Sequence, residues 1–202
     1  MGIQIGAKPD SGFDDPLGML TDCHRRIERF LDVLCLVADR ATGRAMTDEE
    51  TAAVQASLQY FRVGGQRHNA DEEESLFPRL RESSARDKFN EIHALLSDHQ
   101  DANHLHGTVE KLYEKWVSAG TLELKDQGEL LSVTQRLKRL YTEHIQMEEQ
   151  VVFPRAAKLL TSDAIHAIGQ EFRARRELSS PDAELGSTAS SAPSSAPLPA
   201  PS

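Results

Sequence analysis

The chain has 202 residues, 39% of them hydrophobic and 27% charged, with a net charge of -9 and a pI near 5.4. That length buries one sizeable core and leaves room for a tail, so one soluble globular domain is expected. The acidic balance speaks against nucleic acid, which needs a clustered basic face. No run of about 18 apolar residues exists to span a membrane, and Met1 to Pro16 lacks the basic and apolar regions of a leader, so the expected compartment is the cytoplasm.

Residues 1–16 read as an N-terminal extension. A first helix is expected from about Leu17 to Arg40, its apolar stripe of Leu20, Ile27, Leu31 and Leu34 interrupted by His24. Cys23 and Cys35 share that helix at a separation of roughly 18 Å, too far for a disulfide, and read as small buried or half-buried side chains in a reducing compartment. Thr42-Gly43 stops the helix. Thr47-Asp48-Glu49-Glu50 then signals the start of a second, running through Val54, Leu58, Phe61 and His68 to about Arg81 despite Gly64-Gly65 and Pro78.

A third helix, from about Asp87 to Ser118, carries Ile92, Leu95, His99, Val109 and Trp116 and ends at Ala119-Gly120. A fourth, from about Asp126 to Leu160, carries Leu130, Leu137, Tyr141, His144, Glu148 and Val151. Ser162-Asp163 caps a short fifth helix to about Arg176. Beyond Ser179 the chain is mostly Ser, Ala and Pro, a composition that cannot bury enough surface to order itself. No sustained period-2 alternation occurs. The expected fold is therefore all-α: an up-down-up-down antiparallel four-helix bundle over residues 17–177, with a short C-terminal helix and a disordered tail over 178–202.

One motif occurs twice. His68-Asn69-Ala70-Asp71-Glu72-Glu73 runs on to Phe77-Pro78-Arg79, and 76 residues later His144-Ile145-Gln146-Met147-Glu148-Glu149 runs on to Phe153-Pro154-Arg155. Residues four apart share a helix face, so each copy presents an imidazole and a carboxylate together. His24 and His99 likewise interrupt the stripes of the first and third helices. Counted from the helix ends at about 1.5 Å per residue, all six fall in one broad layer of an antiparallel bundle.

Taken singly, a buried histidine is usually hydrogen-bonded core, and H-x-x-x-E is a common helix pair. Six such groups at one level without a metal would carry a large desolvation cost. Four imidazoles and two carboxylates exceed the needs of one tetrahedral zinc, and mixed nitrogen and oxygen donors suit iron or manganese. Two metals fit the count. With both carboxylates bridging, each metal receives two imidazoles, two carboxylate oxygens and a share of a solvent-derived bridge, about five ligands of a possible six.

At His24, His68-Asn-Ala-Asp-Glu72, His99 and His144-Ile-Gln-Met-Glu148, in that order, the chain resembles the hemerythrin-like, or HHE cation-binding, domains over about residues 17 to 160. The resemblance implies a four-helix bundle holding two iron ions in a non-haem centre, with His24, His68, His99 and His144 as terminal ligands and Glu72 and Glu148 as bridges. Oxygen-carrying hemerythrins have H-x-x-x-H on the third helix. Here Asn103 follows His99 by four, as in the six-ligand branch with a more open iron. In those carriers the last carboxylate follows its histidine by five, the place of Glu149. Straight-helix geometry puts Glu148 about 40° from His144 and Glu149 about 140° away, which favours Glu148.

Neighbouring residues carry weaker signals. Glu28, between Arg25 and Arg29, reads as part of a solvated ion-pair face. His106 returns to the inward face one heptad after His99 and reads as core packing, with a place beside the site or its channel as the alternative. His93, His104 and His166 read as surface. Tyr141 reads as core, with a hydroxyl within reach of the site as the alternative. Glu73 and Glu149 either anchor histidines through their second ring nitrogen or lie exposed. Interior prolines remove helix hydrogen bonds, so the Phe-Pro-Arg segments are expected to bend or terminate their helices. The functional expectation is a di-iron protein that binds or reacts with dioxygen, nitric oxide or peroxide. The rival expectations are an iron-sensing module with metal-coupled folding and a metal-free helical interaction bundle.

Overall fold

In the computed structural model, which describes residues 10–40, 43–83 and 90–178, the described residues form five helices and no strand. Helix α1 spans Pro16–Arg40. Its first residue is the proline whose fixed φ suits a helix start, and it buries Leu20, Cys23, His24, Ile27, Leu31, Leu34 and Val37 along one stripe. Helix α2 covers residues 48–83. Thr47 caps it with a reciprocal box: its hydroxyl accepts from the Glu50 amide at 3.1 Å, and its own amide donates to the Glu50 carboxylate at 2.9 Å.

Helix α3 is Asn90–Ala119, closed by Gly120 at φ 74 with its amide on the Trp116 carbonyl; the expected start near Asp87 lies outside the described residues. Helix α4 covers residues 124–159 and α5 is Ser162–Leu178. The α5 cap lies one residue earlier than Ser162-Asp163, since Thr161 Oγ1 accepts from the Ala164 amide. The tail expected over 178–202 lies, apart from Leu178, outside the described residues.

The first four helices pack as a ring, α1 on α2 and α4, and α3 on α2 and α4. Short connections make sequence neighbours antiparallel. Two apolar clusters fill the interior. One, around Leu34, Val54, Phe61, Val109 and Leu137, occupies one end of the bundle. The other, around Leu20, Leu76, Phe77, Leu95 and Phe153, occupies the opposite end and takes in Ile168 and Phe172 of α5. The six histidines and glutamates of the sequence pattern lie at the level between them. Among the described residues no helix is long and apolar enough to cross a membrane.

Of the two outcomes expected for the Phe-Pro-Arg segments, a bend or a stop, the stop does not occur: α2 runs on to Ser83 and α4 to Leu159, close to the expected ends near Arg81 and Leu160. Each Phe-Pro follows a π-helical stretch, Asp71–Leu76 in α2 and Glu148–Val152 in α4, and a third such stretch, Phe61–Gly65, carries the double glycine. A wide i→i+5 turn opens the backbone ahead of the ring and absorbs the missing donor, so the helix continues.

Candidate metal centre

Each of the four bundle helices contributes to one buried layer. His24 comes from α1, His68 and Glu72 from α2, His99 from α3, and His144 and Glu148 from α4; none is more than 3% exposed. Their ligand-capable atoms form two overlapping groups, His24, His68, Glu72 and Glu148, and Glu72, His99, His144 and Glu148, with all atoms of a group within 4.8 Å of one another. Each carboxylate divides its oxygens between the groups. Glu148 sets Oε2 3.1 Å from Nε2 of His24 and Oε1 3.4 Å from Nε2 of His144, while Glu72 sets Oε1 3.5 Å from His68 and Oε2 3.4 Å from His99.

These are contacts rather than hydrogen bonds. Eight buried side-chain atoms among the described residues lack a hydrogen bond: five face this layer, Nε2 of His24 and all four oxygens of Glu72 and Glu148, and a sixth is the outer Nδ1 of His68, whose Nε2 faces Glu72. An unpaired buried polar atom costs about 1–3 kcal/mol. Apart from Nε2 of His99 and Nε2 of His144, which share a hydrogen bond at 3.2 Å, these nitrogen and oxygen donors surround a common space without bonding one another, a set that fits a hard or borderline metal ion.

The charges are arranged to match. Burial, then the adjacent Glu148, pushes the Glu72 carboxyl well above the usual carboxylate range. Glu148, despite equal burial, is held well below that range by His144 and His24. Burial drives His68 far below the usual imidazole range, with His24 adding to the effect, and burial with His144 lowers His99. Against its burial, His144 is lifted to about 9 by Glu148 and Asp98.

The π turns explain how adjacent glutamates serve one layer. Glu72 and Glu148 open the view inward, and Glu73 and Glu149 reach sideways to the neighbouring helix. His99 Nδ1 donates to Glu73 at 2.6 Å and His24 Nδ1 to Glu149 at 2.9 Å, which decides between the two readings of these glutamates in favour of anchoring. Glu149 is itself gripped by Arg25, whose other nitrogen pairs with the exposed Glu28. Two further acids take part that no local pattern marks. Asp98 accepts from His144 Nδ1 at 3.3 Å, and the fully buried Asp71 pairs with Arg175 at 2.6 Å and Arg176 at 2.7 Å, tying α5 to the π stretch that holds Glu72.

Phe153 stacks on His24 at 5.5 Å between centroids and Phe77 on His99 at 6.4 Å, so the duplicated Phe-Pro closes one side of the layer with two apolar rings. On the other side Tyr141, 6% exposed, stands edge-on to His144. Its hydroxyl is hydrogen-bonded to Nε2 of His106 at 3.1 Å, so both residues take a polar role beyond packing. His106 is half-buried and lines a crevice of about 270 Å³ between α2 and α3, together with Phe61, Gln66 and Asn103. Asn103 is exposed and accepts from Gln66, so no fifth imidazole comes from that turn of α3. His93, His104 and His166 are exposed.

An all-α bundle with buried histidines and glutamates from four helices, grouped so that they could hold metal, is a cation-binding four-helix domain. The chain belongs to the hemerythrin family: the Hemerythrin HHE cation binding domain matches residues 15–171. It is also similar to an uncharacterized protein of Haemophilus influenzae, 26% identical over 171 residues that cover 82% of this chain and 92% of the relative.

Proposed function

We propose that this chain is a non-haem di-iron protein of the four-histidine, two-glutamate branch that binds or reacts with a small ligand, dioxygen, nitric oxide or peroxide, as a sensor, carrier or stress-response protein. The observation that carries this reading is the division of each carboxylate between two histidine pairs. His24 and His68 would hold one iron, His99 and His144 the other, and Glu72 and Glu148 would bridge them. Iron held there would, when reduced, supply electrons to such ligands and a place to bind them.

The chain's own residues prepare that place. Glu149, Glu73 and Asp98 fix three imidazoles so that each presents Nε2 to the layer. Phe77 and Phe153 exclude water from one side. Burial drives His106 to about 4, so its ring is neutral at pH 7 and can exchange donor and acceptor roles with the Tyr141 hydroxyl without gaining charge. The unpaired atoms of the layer favour a second reading as well, in which metal loading governs stability and the chain reports iron supply.

Elemental analysis of protein purified without added metal should find about two ions per chain, and will distinguish iron from manganese. Its absorption spectrum should respond to reduction and then to dioxygen, nitric oxide or peroxide. Replacing both Glu72 and Glu148 by alanine should abolish loading. Wild-type iron content in that double variant, or a folded wild-type chain that refuses added iron and manganese, would overturn the reading in favour of a metal-free interaction bundle.

A further inference from the structure

The duplication has a spatial counterpart that holds for three imidazoles and fails for the fourth. Residues His68, Glu72 and Glu73 recur 76 positions on as His144, Glu148 and Glu149, and His24 recurs 75 positions on as His99. In space, Glu149 of α4 reaches Nδ1 of His24 on α1, and Glu73 of α2 reaches Nδ1 of His99 on α3 in the same way. Nδ1 of His144 meets Asp98, the residue directly before His99. The residue directly before His24 is Cys23, and Nδ1 of His68 is buried with no hydrogen bond.

A thiol is a poor substitute for a carboxylate at that place. Cys23 is buried, and its Sγ already accepts from Nη2 of Arg26 at 3.2 Å. A carboxylate on the outer nitrogen of a metal-bound imidazole fixes the tautomer and raises the basicity of the inner nitrogen, and losing it typically costs about 10–100-fold in metal affinity. The His99 and His144 pocket has two such carboxylates. The His24 and His68 pocket has one.

We propose that the two metal pockets are inequivalent: the His99 and His144 pocket fills first and retains its ion, whereas the His24 and His68 pocket fills last and exchanges its ion, with Asp98 against Cys23 setting the difference. The proposal rests on the two-metal reading above. It implies a one-metal form on the loading path and a mixed pair when a second kind of ion is offered to that form.

The test is a stepwise titration of metal-free protein with cobalt(II), followed by its visible absorption bands and by calorimetry. Mutual repulsion of two cations separates the steps even in a symmetric centre, so the decisive readout is which step each variant moves. Asp98→Ala, at a partly exposed position, should weaken the first step alone by about 10–100-fold and draw the two affinities together. Cys23→Asp should tighten the second step alone by at least about tenfold, while Cys23→Ser, which supplies no carboxylate, should move neither. Circular dichroism establishes that each variant is folded, and Asp98→Ala alone decides if Cys23→Asp does not fold. An Asp98→Ala chain whose second step weakens, or whose steps are both unchanged, overturns the inequivalence. A folded wild-type chain that takes up no cobalt sinks the two-metal reading itself.

Discussion

Glu72 is the residue at which stability and metal binding should pull in opposite directions. Both its oxygens are buried without a hydrogen bond, and burial beside Glu148 favours its protonated form, so in the metal-free chain it is an unsatisfied carboxyl in a packed layer. Methionine has nearly the same length and no group to satisfy. Relief of the desolvation cost should stabilise metal-free Glu72→Met by about 2 kcal/mol, a Tm rise of about 4–8 °C for a domain of this size. Loading reverses the order. Each ion present at about 100 times its Kd adds about 2.7 kcal/mol, so two ions should raise the wild-type Tm by about 10–20 °C, while the variant, lacking one shared carboxylate, should gain far less. Thermal melts of both proteins by circular dichroism, with a chelator and with added ferrous iron under argon, give the four values required. If metal-free Glu72→Met melts below metal-free wild type, the layer is satisfied without metal and the reasoning fails. It also fails if iron raises both melting points equally.

Metal uptake should release protons at pH 7. The carboxyl of Glu72 lies above its usual range and the imidazole of His144 is lifted to about 9, so both must be deprotonated by the incoming ion and affinity should climb with pH. Calorimetry in buffers of different ionisation enthalpy measures the release, and none at pH 7 would refute the assignment. The sign for the metal-free fold is the reverse. A histidine raised from 6.5 to about 9 on folding adds stability that is fully present below 6.5 and lost as pH rises through 9, so denaturant midpoints of metal-free protein should fall over that interval. At Gly169 a methyl group would collide with the backbone carbonyl of Phe13, which crosses α5 there, so Gly169→Ala should cost about 1–3 kcal/mol, and an unchanged melting point would show that the crossing is loose. Asp71→Ala removes the buried anion that Arg175 and Arg176 grip, which should cost about 3 kcal/mol and open α5 to limited proteolysis, and wild-type protection of α5 would count against its role as a clamp.

What was legible in the chain follows from how local each signal is. Helices α1 and α3 announce themselves through 3.6-residue stripes and stop signals such as Ala119-Gly120, and the six polar residues stand out because each interrupts such a stripe. The π turns leave no mark on that periodicity. Pro78 and Pro154 therefore read as bends or stops inside helices that run on, and no local signal shows that the backbone ahead of each is widened to take them. The same local geometry left Glu73 and Glu149 undecided. On a straight helix they point well away from their histidines of origin, and nothing local shows that each belongs to an imidazole on the next helix.

Asp71 and Asp98 were beyond sequence reasoning for a related cause. A carboxylate in an acidic helix reads as solvated surface until its partner across the interface is known, and those partners, Arg175 and Arg176 for one and His144 for the other, lie 104, 105 and 46 residues away. The contrast between Cys23 and Asp98 is instructive in another way. Both letters are in plain view directly before His24 and His99, and the 75-residue offset aligns them. Their difference acquires meaning only once the fold shows that Asp98 meets the outer nitrogen of His144 while the outer nitrogen of His68 has no hydrogen bond. A duplicated motif predicts shared chemistry at the positions that repeat. Any functional difference between two such halves has to come from neighbours that do not repeat, and here that points to one thiol in the place of one carboxylate.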